Sequence, residues 1–106
     1  MANDTFRALA HPIRRRVVER LALGPATVGE ATRGLGVSKP TLTRHLQVLE
    51  EASIIVRVID GRTHRLQLDP TPLSEAEAWL EQQRASWERL FDVVEQYLDE
   101  HPKGTT

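Results

Sequence analysis

The sequence predicts a mostly α chain with a small β-hairpin, an α+β fold in a single domain spanning residues 1–106. Three observations carry this expectation. Apolar residues recur at spacings of three and four before position 52, an Asp-Gly dipeptide lies between β-branched runs at 54–68, and a helical pattern runs from Pro72 to Asp99. A chain of 106 residues is near the lower end of what buries a self-sufficient core, so support from a second subunit is expected.

Taken in order, Asn3 or Asp4 can cap a first helix, Thr5 to Ala10, with Phe6, Leu9 and Ala10 on its apolar side. His11-Pro12 ends it, and Pro12 opens a second helix to about Leu23, in which Ile13, Val17, Val18, Leu21 and Ala22 form the buried stripe. Gly24-Pro25 stops that helix. Thr27 with Glu30 three residues on has capping-box spacing, so Val28 to about Arg33 should be a short helix, with Val28, Ala31, Leu35 and Val37 packing it against the next. After the turn Gly34-Leu35-Gly36-Val37, Ser38 can cap a longer helix to Ala52, with Pro40 in its first turn. The pair reads as helix, glycine-containing turn, second helix.

In that longer helix Leu42, Leu46 and Leu49 form the inward stripe. Opposite lie Lys39, Thr41, Thr43, Arg44 and Gln47, which with Ser38 and Pro40 make a short, donor-rich, cationic N-terminal half. Such side chains can hydrogen-bond base edges in a major groove and hold phosphate. An ordinary solvated amphipathic helix is the alternative. His45 fits either a phosphate contact beside Arg44 or a neutral imidazole packed at the helix boundary, and the first is the expectation.

Residues 54–68 read as a two-stranded hairpin turning at Asp60-Gly61, which sets Ile59 opposite Arg62, Arg57 opposite His64 and Ile55 opposite Leu66. Arg57, Arg62, Thr63 and Arg65, with His64, then lie near a tip suited to reach a phosphate backbone or a minor groove. Charged side chains that guard an edge strand are the alternative.

Past the Asp69-Pro70-Thr71-Pro72 break, Leu73, Ala76, Leu80, Trp87, Leu90, Val94 and Tyr97 step in a heptad pattern, with Gln83 in the gap, and Trp79, Phe91 and Leu98 widen it. A face this wide is expected to pair two copies symmetrically, helped by Phe6 and Leu9 of the first helix. Alternatives are that the tryptophans fill the monomer core or that the helix bends near Gln82-Gln83, and Trp79 and Trp87 could instead line a pocket for a small apolar effector. Residues 100–106 are expected to fray.

Net charge is −1, but the charge is unevenly spread. Up to Asp69 there are eleven Lys or Arg against seven Asp or Glu, a balance of +4, whereas from Pro70 on three stand against eight, a balance of −5. A basic body with an acidic final helix suits one part that meets phosphate and another that meets solvent or a second chain. With no cysteine there is no disulfide framework, thiolate metal site or cysteine nucleophile. No apolar run approaches the roughly 20 residues of a membrane span, and the N-terminus lacks a signal peptide's apolar core, so the cytoplasm is the expected compartment. No serine stands beside a plausible base and no glycine-rich phosphate loop is present, which argues against an enzyme. No cofactor is expected.

With these elements in place, the chain resembles the ArsR-type family (ArsR/SmtB) of winged helix-turn-helix bacterial repressors. The carrying residues are Ala8 to Arg15, Val37 to Leu49 and Asp60-Gly61-Arg62. The resemblance implies a winged helix-turn-helix of four N-terminal helices, a two-stranded wing and a long C-terminal dimerisation helix. It also implies a homodimeric, cytoplasmic repressor with helix 38–52 in the major groove of an inverted-repeat operator and hairpin 54–68 as wing. Metal-sensing members carry cysteine pairs in the supporting helix or Asp and His clusters in the last one. Here the first place holds Thr27 to Ala31 and Pro72 to Asp99 has no histidine, so the resemblance is to the branch without metal ligands, and no metal site is expected. Ser53 stands where the family usually has glycine, and Leu66 where tyrosine is common. An effector, small molecule or protein, is left open, as is a winged-helix module that binds protein in place of DNA.

Overall fold

The structure, a computed structural model, describes residues 2–101. In chain order the elements are α1 (Ala2–Leu9), α2 (Pro12–Leu21), β1 (Ala26–Thr27), α3 (Val28–Ala31), α4 (Lys39–Glu51), β2 (Ile55–Asp60), β3 (Thr63–Leu68) and α5 (Pro70–Glu100). The chain divides into two compact units, Met1–Ala76 and Glu77–Thr106.

In the first unit, α1 begins earlier than its expected cap, with Asn3 and Asp4 inside its first turn. The α2 N-cap is His11, whose Nδ1 accepts a hydrogen bond from the Ile13 N–H at 3.1 Å. The Thr27 and Glu30 capping box closes in both directions, at 3.1 Å and 3.0 Å. One core forms from Ala8, Val17, Leu21, Ala26, Ala31, Leu46, Leu49, Ile54, Ile55 and Leu66. Val37, expected in the packing, is exposed. Helix α4 rests chiefly on α2 and β2.

The sheet is antiparallel in the order β1-β3-β2, so the hairpin gains a third strand that the sequence reading treated as loop and cap. Two residues, Ala26 and Thr27, opposite Leu66 and Arg65, are too few to show an alternation. The hairpin turn is also one residue later than expected. Asp60 pairs with Thr63, Ile59 with His64, Arg57 with Leu66 and Ile55 with Leu68, leaving Gly61-Arg62 as the loop. Gly61 has φ 60°, and Arg62 is not at positive φ, as in a turn that wants glycine at its first central position. The faces survive this shift, because every partner moves by two residues and a strand alternates with period two. Ile55 and Leu66 remain buried and Val56, Val58, Thr63, Arg65 and Gln67 remain outside.

Helix α5 starts at Pro70, two residues before the expected Pro72. Asp69 Oδ1 accepts from the Thr71 N–H at 3.0 Å, and Pro70 and Pro72 fall in a first turn whose N–H groups have no helical acceptor in any case. Within the first unit Leu73 is half-buried and Ala76 is buried.

In the second unit α5 runs on to Glu100. Arg84 pairs with Glu81 at 2.8 Å and Glu88 at 3.5 Å on its polar side. Trp79, Leu80, Trp87, Leu90, Phe91, Val93, Val94, Tyr97 and Leu98 are all exposed. Of the expected frayed tail, residues 102–106 lie outside the described residues.

Candidate nucleic-acid interface

Helix α4 presents two sides with different chemistry. The Ser38 cap is made, with the Thr41 N–H donating to Ser38 Oγ at 3.4 Å and the two hydroxyls 2.9 Å apart. Pro40 follows in the first turn. His45, Leu46 and Leu49 are buried, Leu42 is half-buried, and Lys39, Pro40, Thr41, Thr43, Arg44 and Gln47 are exposed. Among the described residues no hydrogen bond or ion pair engages the side chains of Lys39, Thr43, Arg44 or Gln47. Lys39 stands beside the positive end of the helix, an arrangement that favours anions.

At its far end α4 closes in a Schellman motif. The Ser53 N–H donates to the Glu50 carbonyl at 2.9 Å and the Ile54 N–H to the Leu49 carbonyl at 3.0 Å, while Leu49 and Ile54 pack in the core. The motif puts Ser53 at φ 59°, and it is the one non-glycine residue at positive φ among the described residues. Glycine is the usual occupant of such a position, which gives the departure noted at Ser53 its physical meaning.

Two residues expected on the exposed surface are placed differently. His45 does not lie on the exposed row: it is 8% exposed and its ring meets that of His11 at 4.3 Å. A guanidinium has no acceptor, so Arg14 Nη1, 3.2 Å from His45 Nδ1, donates to it. Arg14 also donates to the Ala8 and Arg7 carbonyls at 2.5 Å and 3.2 Å, tying the end of α1 to this joint. Burial, then the positive neighbours His11, Arg14 and Arg44, hold the His45 pKa below its ordinary 6.5.

Arg57 is likewise turned inward. Its Nη2 donates to Glu50 Oε1 at 2.6 Å, its Nε approaches Oε2 at 3.5 Å and its Nη1 lies 3.1 Å from His64 Nδ1. The period-two alternation had signalled this, since Arg57 falls between Ile55 and Ile59 on the inward face. Arg62, Thr63 and Arg65 are exposed, and neither arginine side chain has a hydrogen bond or ion pair among the described residues. Arg65 lies close enough to Glu30 to help hold that carboxyl low, after the Thr27 hydrogen bonds that do most of it. Glu50 and Arg14 were missed by the sequence reading, because their partners come from other elements.

Of the residues expected in a subunit interface, Leu80, Trp87, Leu90, Phe91, Val94, Tyr97 and Leu98 are exposed, with Trp87 at 50% and Phe91 at 64%. Phe6 and Leu9 are half-buried in the first unit, and Leu9 packs on its core. No group of three or more His, Cys, Asp or Glu among the described residues is placed to hold a metal ion. No helix among them is long and apolar enough to cross a membrane.

A helix-turn-helix domain family matches residues 9–58. The HTH-type transcriptional regulator Rv2034 of Mycobacterium tuberculosis is 38% identical over 100 residues, which span 94% of this chain and 91% of that protein. The transcriptional repressor SdpR of Bacillus subtilis is 30% identical over 78 residues, 74% of this chain and 87% of that protein. Among solved structures, an ArsR family transcriptional regulator is 37% identical with a TM-score of 0.75, covering 81% of this chain and 89% of that one. These relatives are regulators and not enzymes, and they join the helix-turn-helix and hairpin geometry described above in one conclusion: the chain belongs to the ArsR-type family of winged helix-turn-helix transcriptional regulators.

Proposed function

We propose that the chain is a cytoplasmic, homodimeric, sequence-specific DNA-binding regulator that represses transcription, each subunit laying α4 in a major groove and its hairpin along the flank. The observation that carries this reading is the exposed row Lys39, Thr41, Thr43, Arg44 and Gln47 on a helix whose opposite side is locked into the core. Long donors of this kind reach base edges, while Ser38 and Thr41 suit phosphate. Arg62, Thr63 and Arg65 supply the same chemistry on the hairpin. Repression is the activity that SdpR's name gives that protein. The exposed apolar face of α5 supports pairing of two copies, and a two-fold dimer calls for an inverted repeat with half-sites about 34 Å apart.

The test is binding to labelled duplexes at rising salt. Phosphate contacts make the logarithm of the binding constant fall linearly with the logarithm of salt concentration. A chain that ignores duplexes even at low ionic strength overturns the reading, and retention of a protein partner instead would favour the protein-binding alternative.

A further inference from the structure

The Glu50, Arg57 and His64 cluster joins the last turn of α4 to both strands of the hairpin, and nothing in the DNA-binding reading yet uses it. Arg57 commits three nitrogens inside the molecule: Nη2 to Glu50 Oε1 at 2.6 Å, Nε to Oε2 at 3.5 Å and Nη1 to His64 Nδ1 at 3.1 Å. The Arg57 and Glu50 side chains are 25% and 31% exposed, so the pair is shielded but reachable by solvent. Beyond it the strand pairs run on through Ile59 with His64 and Asp60 with Thr63 to the Gly61-Arg62 loop, and past Ile55 and Leu66 this stretch has no buried side chain. Among the described residues the Arg57 and Glu50 pair is the one side-chain hydrogen bond or ion pair that ties the hairpin to α4.

Resting on the DNA-binding reading, we propose that Arg57 is a positioning residue and not a DNA contact. Braced by Glu50 and His64, it sets the angle of the hairpin on α4, so that Arg62 and Arg65 meet phosphate while α4 is in its groove. An arginine fork fixes orientation as well as distance, and two groups that bind one duplex together gain from being held at the right span.

Glu50 distinguishes the two roles of Arg57. Removing a carboxylate from a surface that meets polyanionic DNA ordinarily tightens binding, by lifting repulsion. If Glu50 instead holds Arg57 in place, its removal weakens binding. The experiment compares the full-length chain with Glu50→Ala and Arg57→Lys, each with and without Arg62→Ala, on a duplex that the unaltered chain retains, across a salt series. A part-exposed ion pair contributes little to global stability, so both variants should melt cooperatively near the parent temperature. Expected are a several-fold loss of affinity for Glu50→Ala and a similar loss for Arg57→Lys, although the latter keeps its charge. In either background Arg62→Ala should cost much less than in the parent, where it removes about one unit of salt slope.

Tighter or unchanged binding by Glu50→Ala overturns the proposal and leaves the DNA-binding reading intact. So does parent-like binding by Arg57→Lys, which is what a direct phosphate contact would give, since lysine can replace arginine as a point charge. If the parent chain itself retains no duplex, the DNA-binding reading fails first and the proposal falls with it. Should one variant not fold, the other decides the matter, since each breaks the same joint from opposite sides.

Discussion

Among the described residues no carboxylate partners His45, so an added positive charge there is unmatched. The α2 cap His11 sets its ring at 4.3 Å, α2 brings Arg14 at 3.2 Å, α4 itself brings Arg44, and Arg14 also binds the Ala8 and Arg7 carbonyls of α1. Its pKa is lowered in the fold, so the unfolded chain binds the proton more readily. By linkage the associated stability is fully present above the ordinary value of 6.5 and is lost as pH falls through the lower folded value. Urea midpoints should drop between pH 7.5 and pH 5, and His45→Gln, which keeps an acceptor, should flatten that drop; an identical pH profile in the variant would contradict this. At the same scale, the proposed division between base reading by Arg44 and phosphate holding by Arg62 can be tested. Arg44→Ala should cost about 1–3 kcal/mol at a specific site and relax its sequence preference, whereas Arg62→Ala should weaken all duplexes alike. Equal losses on specific and random duplexes for Arg44→Ala would reverse the assignment. Arg44 was legible because a helix's outer side follows from its apolar spacing. The inward side of Arg57 follows from alternation, but the partners of His45 and Arg57, Arg14 and Glu50, lie 31 and 7 positions away and become neighbours only through packing.

At the scale of elements, α4 was the most legible, since its cap, its proline and its leucine stripe are local features that point the same way. The exposed sides of the hairpin were legible too, because alternation is indifferent to a shift of two residues; the turn itself was not, since Asp-Gly can sit in more than one turn register. Strand β1 was invisible for the opposite reason, being made by what β3 offers it and not by its own pattern. The exit of α4 yields a prediction. Ser53 holds a left-handed conformation at φ 59°, which is costly for any residue with a Cβ. Ser53→Gly should therefore stabilise the chain by about 0.5–1 kcal/mol after allowing for glycine's extra freedom when unfolded. Thermal unfolding should show a rise of a few degrees, and no rise would mean the Schellman turn is unstrained with serine.

On the scale of the whole molecule, an acidic, apolar-faced α5 follows a basic body, the asymmetry that the proposed division between pairing and DNA binding calls for. A helix of 31 residues, about 46 Å long, carries more exposed apolar side chains than a single chain needs. Leu90 is 57% exposed in one copy. Leu90→Glu should shift the sedimentation of the protein from dimer toward monomer and weaken binding to an inverted repeat more than to a single half-site; a variant that stays dimeric would place the interface elsewhere. The heptad step was plain in the sequence, but what covers it is not a property that one chain's residues determine.

The most direct test of two reading helices held one turn of DNA apart is to recover and sequence the duplexes that the protein retains from a random pool. The account predicts two inverted blocks of preferred bases with centres about 10 base pairs apart, and loss of preference within the blocks when Arg44 is replaced by alanine. Retained sequences indistinguishable from the starting pool would contradict it.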